Sequence, residues 1–226
     1  MFENNREDIS SEEIRYSYIS FISNKLRIGI VGGGKAGTIK ARHFIKDNVY
    51  VEVLSKTFTE DLIELSKESA KKLKLISEEF NYDFLKDKHL IIIAIEDKNV
   101  IDKIKYYCED NFKIYIDSSD FKGGMGVIPI ERDTKNISFA LNTKQGNPKG
   151  AVLAAEKVKS LLEEYDDFLS FMGKIRTKAK KYPEYKNLIL SFIGNDDFKI
   201  LFDQGKAEEA LRINFPKEII DDLLKL

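Results

Sequence analysis

Four glycines within six residues, Gly32-Gly33-Gly34 and Gly37, carry the chain's clearest chemistry. Gly32, Gly34 and Gly37 stand at G-x-G-x-x-G spacing, with an apolar run, LRIGIV, before them and KAGTIKARHF after them. Such a spacing suits a dinucleotide pyrophosphate. The first glycine makes the tight turn, the second leaves the backbone open to the phosphates, and the third lets the following helix lie close to the strand. The helix then offers unpaired N–H groups and the positive end of its dipole to the anion. Candidate cofactor contacts are therefore Gly32, Gly33, Gly34, Lys35, Ala36 and Gly37. A purely structural glycine turn is the alternative. The motif is not a phosphate loop of the Lys-Ser or Lys-Thr type, because neither pair follows Gly37.

Further candidates lie where strands end. YVEVLS, residues 50–55, is followed by Lys56 and Thr57; an acidic residue near such a strand end binds the ribose hydroxyls of NAD. Here Glu52 falls inside the strand, and Ser55 and Lys56 take the end. Lys56 is either a contact for a 2′-phosphate, favouring NADP, or a solvated lysine. Glu96 and Asp97 follow the apolar run HLIIIAI and either meet the nucleotide or cap the next helix. His43 and His89 have no second ligand at metal spacing and read as structural. Cys108, the single cysteine, reads as a small half-buried hydrophobe. No H-E-x-x-H, serine elbow or zinc spacing occurs.

These residues need a frame. Strands are expected at LRIGIV, 50–55, KLKLIS, 89–95 and 113–117, with helices at 35–47, 59–71 and 97–109. Thr59 should open the second helix as its N-cap. This alternation predicts an α/β, Rossmann-type doubly wound parallel sheet. YSYISFISN, residues 16–24, is expected to pack on the first strand, and residues 1–14 to form a loosely docked extension. After Asp117 the pattern changes. Two strands, 126–132 and 136–142, with a turn at Asp133-Thr134, form a small β dimerisation segment in which Pro129 marks an edge. A C-terminal helical domain follows from Pro148, with two or three short helices after a break near Pro183. The predicted domains are 1–120, 121–147 and 148–226.

Composition bounds the partners. The 226 residues are 42% hydrophobic and 33% charged with net charge -1, so no basic field for nucleic acid exists. No apolar run approaches the roughly 20 residues that span a bilayer, and the acidic N-terminus does not resemble a signal peptide. A cytoplasmic protein without nucleic-acid or membrane partners is expected.

VGGGKAGTIKARHF resembles the VGGGxVAxRKAxxL signature of the precorrin-2 dehydrogenases, the N-terminal module of siroheme synthases. IIIAIEDKNVIDKI is similar to that family's fourth strand and following helix, IYIDSSDFKGGMGVIPI to its Asn-x-x-Asp segment, and NTKQGNPKGAVLAAEKVKSLL to its Ser/Gly-rich turn, proline and long helix. The likeness covers about residues 16–165. It departs at Gly37 and Thr38, and Asp117 stands where the family often has Asn. The resemblance implies NAD as cofactor, with NADP left open, a tetrapyrrole substrate, a homodimer interlocked through the connector and helices, and iron insertion in some members. It places the catalytic carboxylate on Asp120, with Asp117 as the alternative. A proton-accepting aspartate would need partial burial to raise its pKa. Lys122, Asn142, Thr143 and Lys144 are the implied substrate contacts, with Arg132 and Lys149 as further cations for the substrate's carboxylates. Gly123, Gly124 and Gly126 would let the loop approach a flat macrocycle. The competing readings are another NAD(P)-dependent small-molecule reductase, for which no clear Tyr, Lys or His donor appears, and a nucleotide-sensing module without turnover.

Overall fold

The computed structural model describes residues 14–225; the extension expected at residues 1–14 lies almost wholly outside them. The chain divides into two compact units, one spanning Tyr16–Ile128 and the other running from Pro129 through the C-terminal helices. The sequence expectation placed this boundary at residue 120 and set the β connector apart. Instead residues 121–128 go with the first unit and the connector with the helices.

In the first unit, β1 (Arg27–Val31), α1 (Lys35–Lys46), β2 (Tyr50–Ser55), α2 (Glu60–Glu68), β3 (Leu73–Ser77), α3 (Asp83–Lys86), β4 (Leu90–Ile93), α4 (Lys98–Asp110) and β5 (Ile114–Asp117) follow in order. The five strands are parallel in the order β3-β2-β1-β4-β5. The chain winds outward from β1 to β3, then returns to place β4 on the other side of β1. That reversal opens a crevice at the carboxyl ends of β1 and β4, where ligands bind in such sheets. Alternation along the strands loads both faces. Ile28, Ile30, Val51, Val53 and Ile92 face one core with Ala41 and Leu62. Val31, Leu54, Ile91 and Ile93 face the other with Leu85, Ile104 and Cys108. A sheet covered on both sides explains the unbroken apolar run of β4.

Two differences from expectation occur here. The four-residue α3, too short to show a helical period, supplies Phe84 and Leu85 to the second core. Residues 16–22 form no strand or helix before a short 3-10 turn at Ser23–Lys25, and Tyr18, Ile19, Phe21 and Ile22 remain largely exposed rather than packed on β1.

The second unit opens with an antiparallel hairpin of β6 (Ile130–Asp133) and β7 (Ser138–Leu141). The strands are shorter than expected. β6 starts only after Pro129, which has no N–H to give, and Asp133 pairs with Ser138, so the turn shifts to residues 134–137. Asp166 fixes that turn: its carboxylate accepts from the Thr134 hydroxyl (2.8 Å) and the Lys135 and Asn136 N–H groups (3.0 and 2.8 Å). Helices α5 (Pro148–Glu163), α6 (Asp166–Ala179), α7 (Pro183–Ile193), α8 (Asp196–Asp203), α9 (Ala207–Asn214) and α10 (Lys217–Leu223) follow. Four helices, not two or three, come after residue 182. The Asn195 side-chain cap on Phe198 N–H, Gly205 at φ +72° and Pro216 separate the last of them. Phe168, Ile175, Ile189, Phe198, Leu211 and Ile220 form their core. Among the described residues no helix is long and apolar enough to cross a membrane.

Candidate dinucleotide site and its loop aspartates

The glycine turn is built from contacts that exclude side chains. Gly32 sits at φ +117°, and a Cβ there would meet the Ala94 carbonyl oxygen at 2.2 Å. A Cβ on Gly33 would strike the Thr57 carbonyl oxygen at 2.5 Å, and one on Gly37 the Gly32 carbonyl oxygen at 2.0 Å. Backbone bonds hold the same surfaces together: Gly32 N–H donates to Leu54 C=O (2.9 Å) and Thr59 N–H to Gly33 C=O (3.0 Å). Thr38, a departure from the family signature, is buried and useful. Its hydroxyl donates to Gly34 C=O (2.9 Å) and hydrogen-bonds the Thr59 hydroxyl (2.8 Å), which also accepts from Leu62 N–H as the cap of α2.

Gly34 is different. It is the N-cap residue of α1, and a Cβ there would have nothing within 4 Å. Among the described residues no side chain caps α1, and its first turn holds no acidic residue, whereas Thr59, Asp97 and Asn147 cap α2, α4 and α5. Thus the N–H groups opening α1, beside exposed Lys35 and Ala36, keep their donor capacity and positive dipole. These features fit the pyrophosphate of a dinucleotide.

A crevice of about 260 Å³ adjoins the turn, lined by Gly32, Ser55, Lys56, Glu78, Glu79, Phe80, Asp97 and apolar neighbours. Ser55 and Lys56 line it. Glu96 is exposed beyond β4 and is absent from this lining. Asp97 caps α4 through Asn99 and Val100 N–H (3.0 and 3.3 Å). Glu78 and Glu79 escaped the sequence reading; they follow Ser77, the register partner of Ser55. Glu52 is committed elsewhere. Burial pushes its carboxyl up, but hydrogen bonds from Lys88 (2.7 Å) and the Tyr50 hydroxyl (3.0 Å), with Lys74 at 3.4 Å, hold it below the usual range.

The loop after β5 carries the two candidate carboxylates. Asp117 is buried. One of its oxygens meets Lys105 Nζ at 2.6 Å; the other accepts from the Ser119 hydroxyl (2.6 Å), Ser119 N–H (2.9 Å) and Asp120 N–H (3.2 Å). Burial pushes this carboxyl up, and Lys105 with the serine and backbone donors brings it below its ordinary value. Asp120 is exposed, contrary to the expected partial burial, and its side chain accepts from Lys122 N–H at 3.1 Å. The glycines make that loop tight: a Cβ on Gly123 would lie 2.5 Å from the Asp120 carboxylate, and one on Gly124 2.9 Å from Asp117 N. A Cβ on Gly126 would meet Ile116 Cγ1 at 4.0 Å, an ordinary contact.

Lys122 is exposed in this first unit, while Asn142, Thr143 and Lys144 belong to the second. There the Thr143 hydroxyl accepts from Asn147 N–H (2.6 Å), and Asn147 caps α5 through Gly150 N–H (3.0 Å). Arg132 is ion-paired with Glu156 at 2.6 Å, and Lys149 is exposed. His89 is structural, its Nδ1 accepting from Arg27 N–H (3.0 Å), and His43 packs edge-on against Phe44. Cys108 is fully buried rather than half-buried, and burial pushes its thiol up to about 11, away from reactivity.

Residues 19–125 match the NAD_binding_7 family model, described as "Putative NAD(P)-binding". The chain is 27% identical over 148 residues to a "Putative precorrin-2 dehydrogenase" of Methanocaldococcus jannaschii, a match covering 62% of this chain and 68% of that protein. The solved structure of "SirC, precorrin-2 dehydrogenase" has the same fold, with a TM-score of 0.68 over 93% of this chain and all of that one, at 19% identity.

Proposed function

We propose that the chain is a member of the precorrin-2 dehydrogenase family, an NAD-dependent oxidoreductase of tetrapyrrole biosynthesis converting precorrin-2 to sirohydrochlorin, a reading its likeness to such a protein supports. The observation that carries the reading is the uncapped N-terminus of α1 behind a glycine turn whose Gly34 faces open space. A nicotinamide bound there supplies the hydride acceptor. The chain's own residues bind, orient and manage the proton. The first-turn N–H groups of α1 hold the pyrophosphate, and the rigid turn at Gly32, Gly33 and Gly37 fixes its place. Oxidation removes one hydride and one proton from the macrocycle; Asp120, an exposed carboxylate on a loop at the sheet's carboxyl edge, takes the proton. Lys122, on the same loop as Asp120, pairs with a carboxylate of the substrate.

The proposal includes a homodimer. The hairpin strands hold no fully buried residue, and Leu153 and Leu161 of α5 are exposed, so this part of the second unit has apolar surface to cover. Light scattering should give twice the 26.0 kDa chain mass; a monomer at micromolar concentration would exclude it.

Mixing the protein with precorrin-2 and NAD+ should produce NADH absorbance in step with sirohydrochlorin. NAD+ binding without turnover would instead support the sensing module, and turnover of a different carbonyl or imine substrate the alternative reductase.

A further inference from the structure

The ribose end of the proposed nucleotide site has an unusual source of acid. The end of β2 offers Ser55, Lys56 and Thr57, with no carboxylate for a ribose hydroxyl. The acids come from the neighbouring strand: Ser55 pairs in register with Ser77, so Glu78 and Glu79 leave β3 beside Lys56. Lys56 Nζ and Glu79 Oε1 are 2.7 Å apart, and both line the crevice next to Gly32. The β2–α2 connection is tied to the glycine turn by Thr59 N–H to Gly33 C=O, and Thr57 C=O occupies the place of a Gly33 side chain. This ion pair thus stands at the border of the pyrophosphate site, not on a remote surface.

Charge at that border opposes a phosphate. Among the described residues the crevice is lined by one cation, Lys56, against three carboxylates, Glu78, Glu79 and Asp97, and by no arginine. A 2′-phosphate brings close to two further negative charges and is normally received by an arginine. Lys56 alone would favour it, but Glu79 already holds the lysine's charge.

We propose that Glu79 is the residue that makes this chain discriminate against NADP, by engaging Lys56 and by placing a carboxylate where the 2′-phosphate would lie. NAD, whose 2′-hydroxyl can donate to a carboxylate, meets no such repulsion. The inference rests on the reading that the dinucleotide lies against the glycine turn.

Titration calorimetry of the full chain with NAD+ and NADP+ tests it. Wild type should bind NAD+ about tenfold or more tightly than NADP+, since like charges brought together cost several kcal/mol, reduced by solvent screening at this exposed site. Both side chains are exposed, so substitutions leave the core untouched, as thermal melts will verify. Glu79→Gln should tighten NADP+ about fivefold to tenfold and change NAD+ less than about threefold. Adding Lys56→Ala to Glu79→Gln should remove the part of the gain that the freed ammonium supplies and leave the part that comes from the lifted repulsion. Unchanged NADP+ affinity in Glu79→Gln overturns the role of Glu79. Gly34→Val separates the underlying reading: if it leaves NAD+ affinity intact, the nucleotide lies elsewhere and both fall. If it abolishes binding while Glu79→Gln does nothing, only the discrimination falls.

Discussion

Asp117 and Asp120 are three residues apart and live in opposite surroundings. Asp117 is buried and uses both oxygens, one on Lys105 and one on three donors of its own loop. Asp120 is exposed, with the Lys122 N–H on one oxygen. The N-termini of the helices repeat this contrast. Beside the sheet, side chains from Thr59 and Asp97 cap α2 and α4 while α1 begins without one, as do the four-residue α3 and, in the second unit, α6, α7, α9 and α10. Polar groups satisfied inside the protein build the scaffold; groups left over are available to a ligand. The family register left Asp117 and Asp120 in competition for one catalytic role, and their environments offer a physical basis for dividing the work.

The largest effect expected from this division is on turnover. Asp120→Ala should lower precorrin-2-dependent NADH formation about 10²–10⁴-fold, the range for a positioned general base, with NAD+ affinity and melting temperature unchanged. Asp117→Ala should act through stability. Removing one partner of a buried pair costs about 3 kcal/mol, the lower end because Lys105 is partly exposed, and the loop loses the turn that presents Asp120. A dead but fully stable Asp117→Ala protein, with active Asp120→Ala, would reverse the assignment.

The helix contrast is tested by a pair of glycine substitutions. Gly34→Val has room within the protein and should keep the fold while weakening NAD+ about tenfold or more, through obstruction of the pyrophosphate. Gly37→Ala should instead destabilise the protein, because its Cβ would sit 2.0 Å from a backbone oxygen. Equal melting temperatures for the two variants would show that the turn is more yielding than its contacts imply.

What was legible in the sequence follows the same line. Local signals are legible in the sequence: the glycine spacing, the Thr59 cap and the apolar run of β4 each depend on near neighbours. Elements too short for a period were missed, as α3 was, and the tail's caps at Asn195 and Gly205 were undercounted. Long-range partnerships left no trace. Nothing near Asp166 says that it holds a hairpin turn some thirty residues earlier, or near Asp117 that Lys105 waits beneath it. Glu78 and Glu79 were passed over because the acidic residue was sought at the end of β2. Pairing Ser55 with Ser77 brings the end of β3 alongside.

The smallest effect concerns the charge of Asp117, separated from its hydrogen bonds. Asp117→Asn keeps an oxygen that can accept from Ser119 and Asp120 but removes the charge facing Lys105. The folded carboxyl sits below its ordinary value, so the unfolded chain binds the proton first as pH falls. The ion pair's stabilisation is therefore fully present above the unfolded aspartate pKa of about 3.9 and is lost as pH drops through the lower folded value. Glu52, held low by Lys88, contributes an acid loss of the same sign to both proteins. Denaturant unfolding of wild type and Asp117→Asn side by side cancels that shared part. Their stability difference should be constant from neutral pH down to about pH 5 and narrow below about pH 4. A difference that stays constant through the acid range would mean that the Lys105 charge contributes nothing, and that Asp117 holds the loop by hydrogen bonds alone.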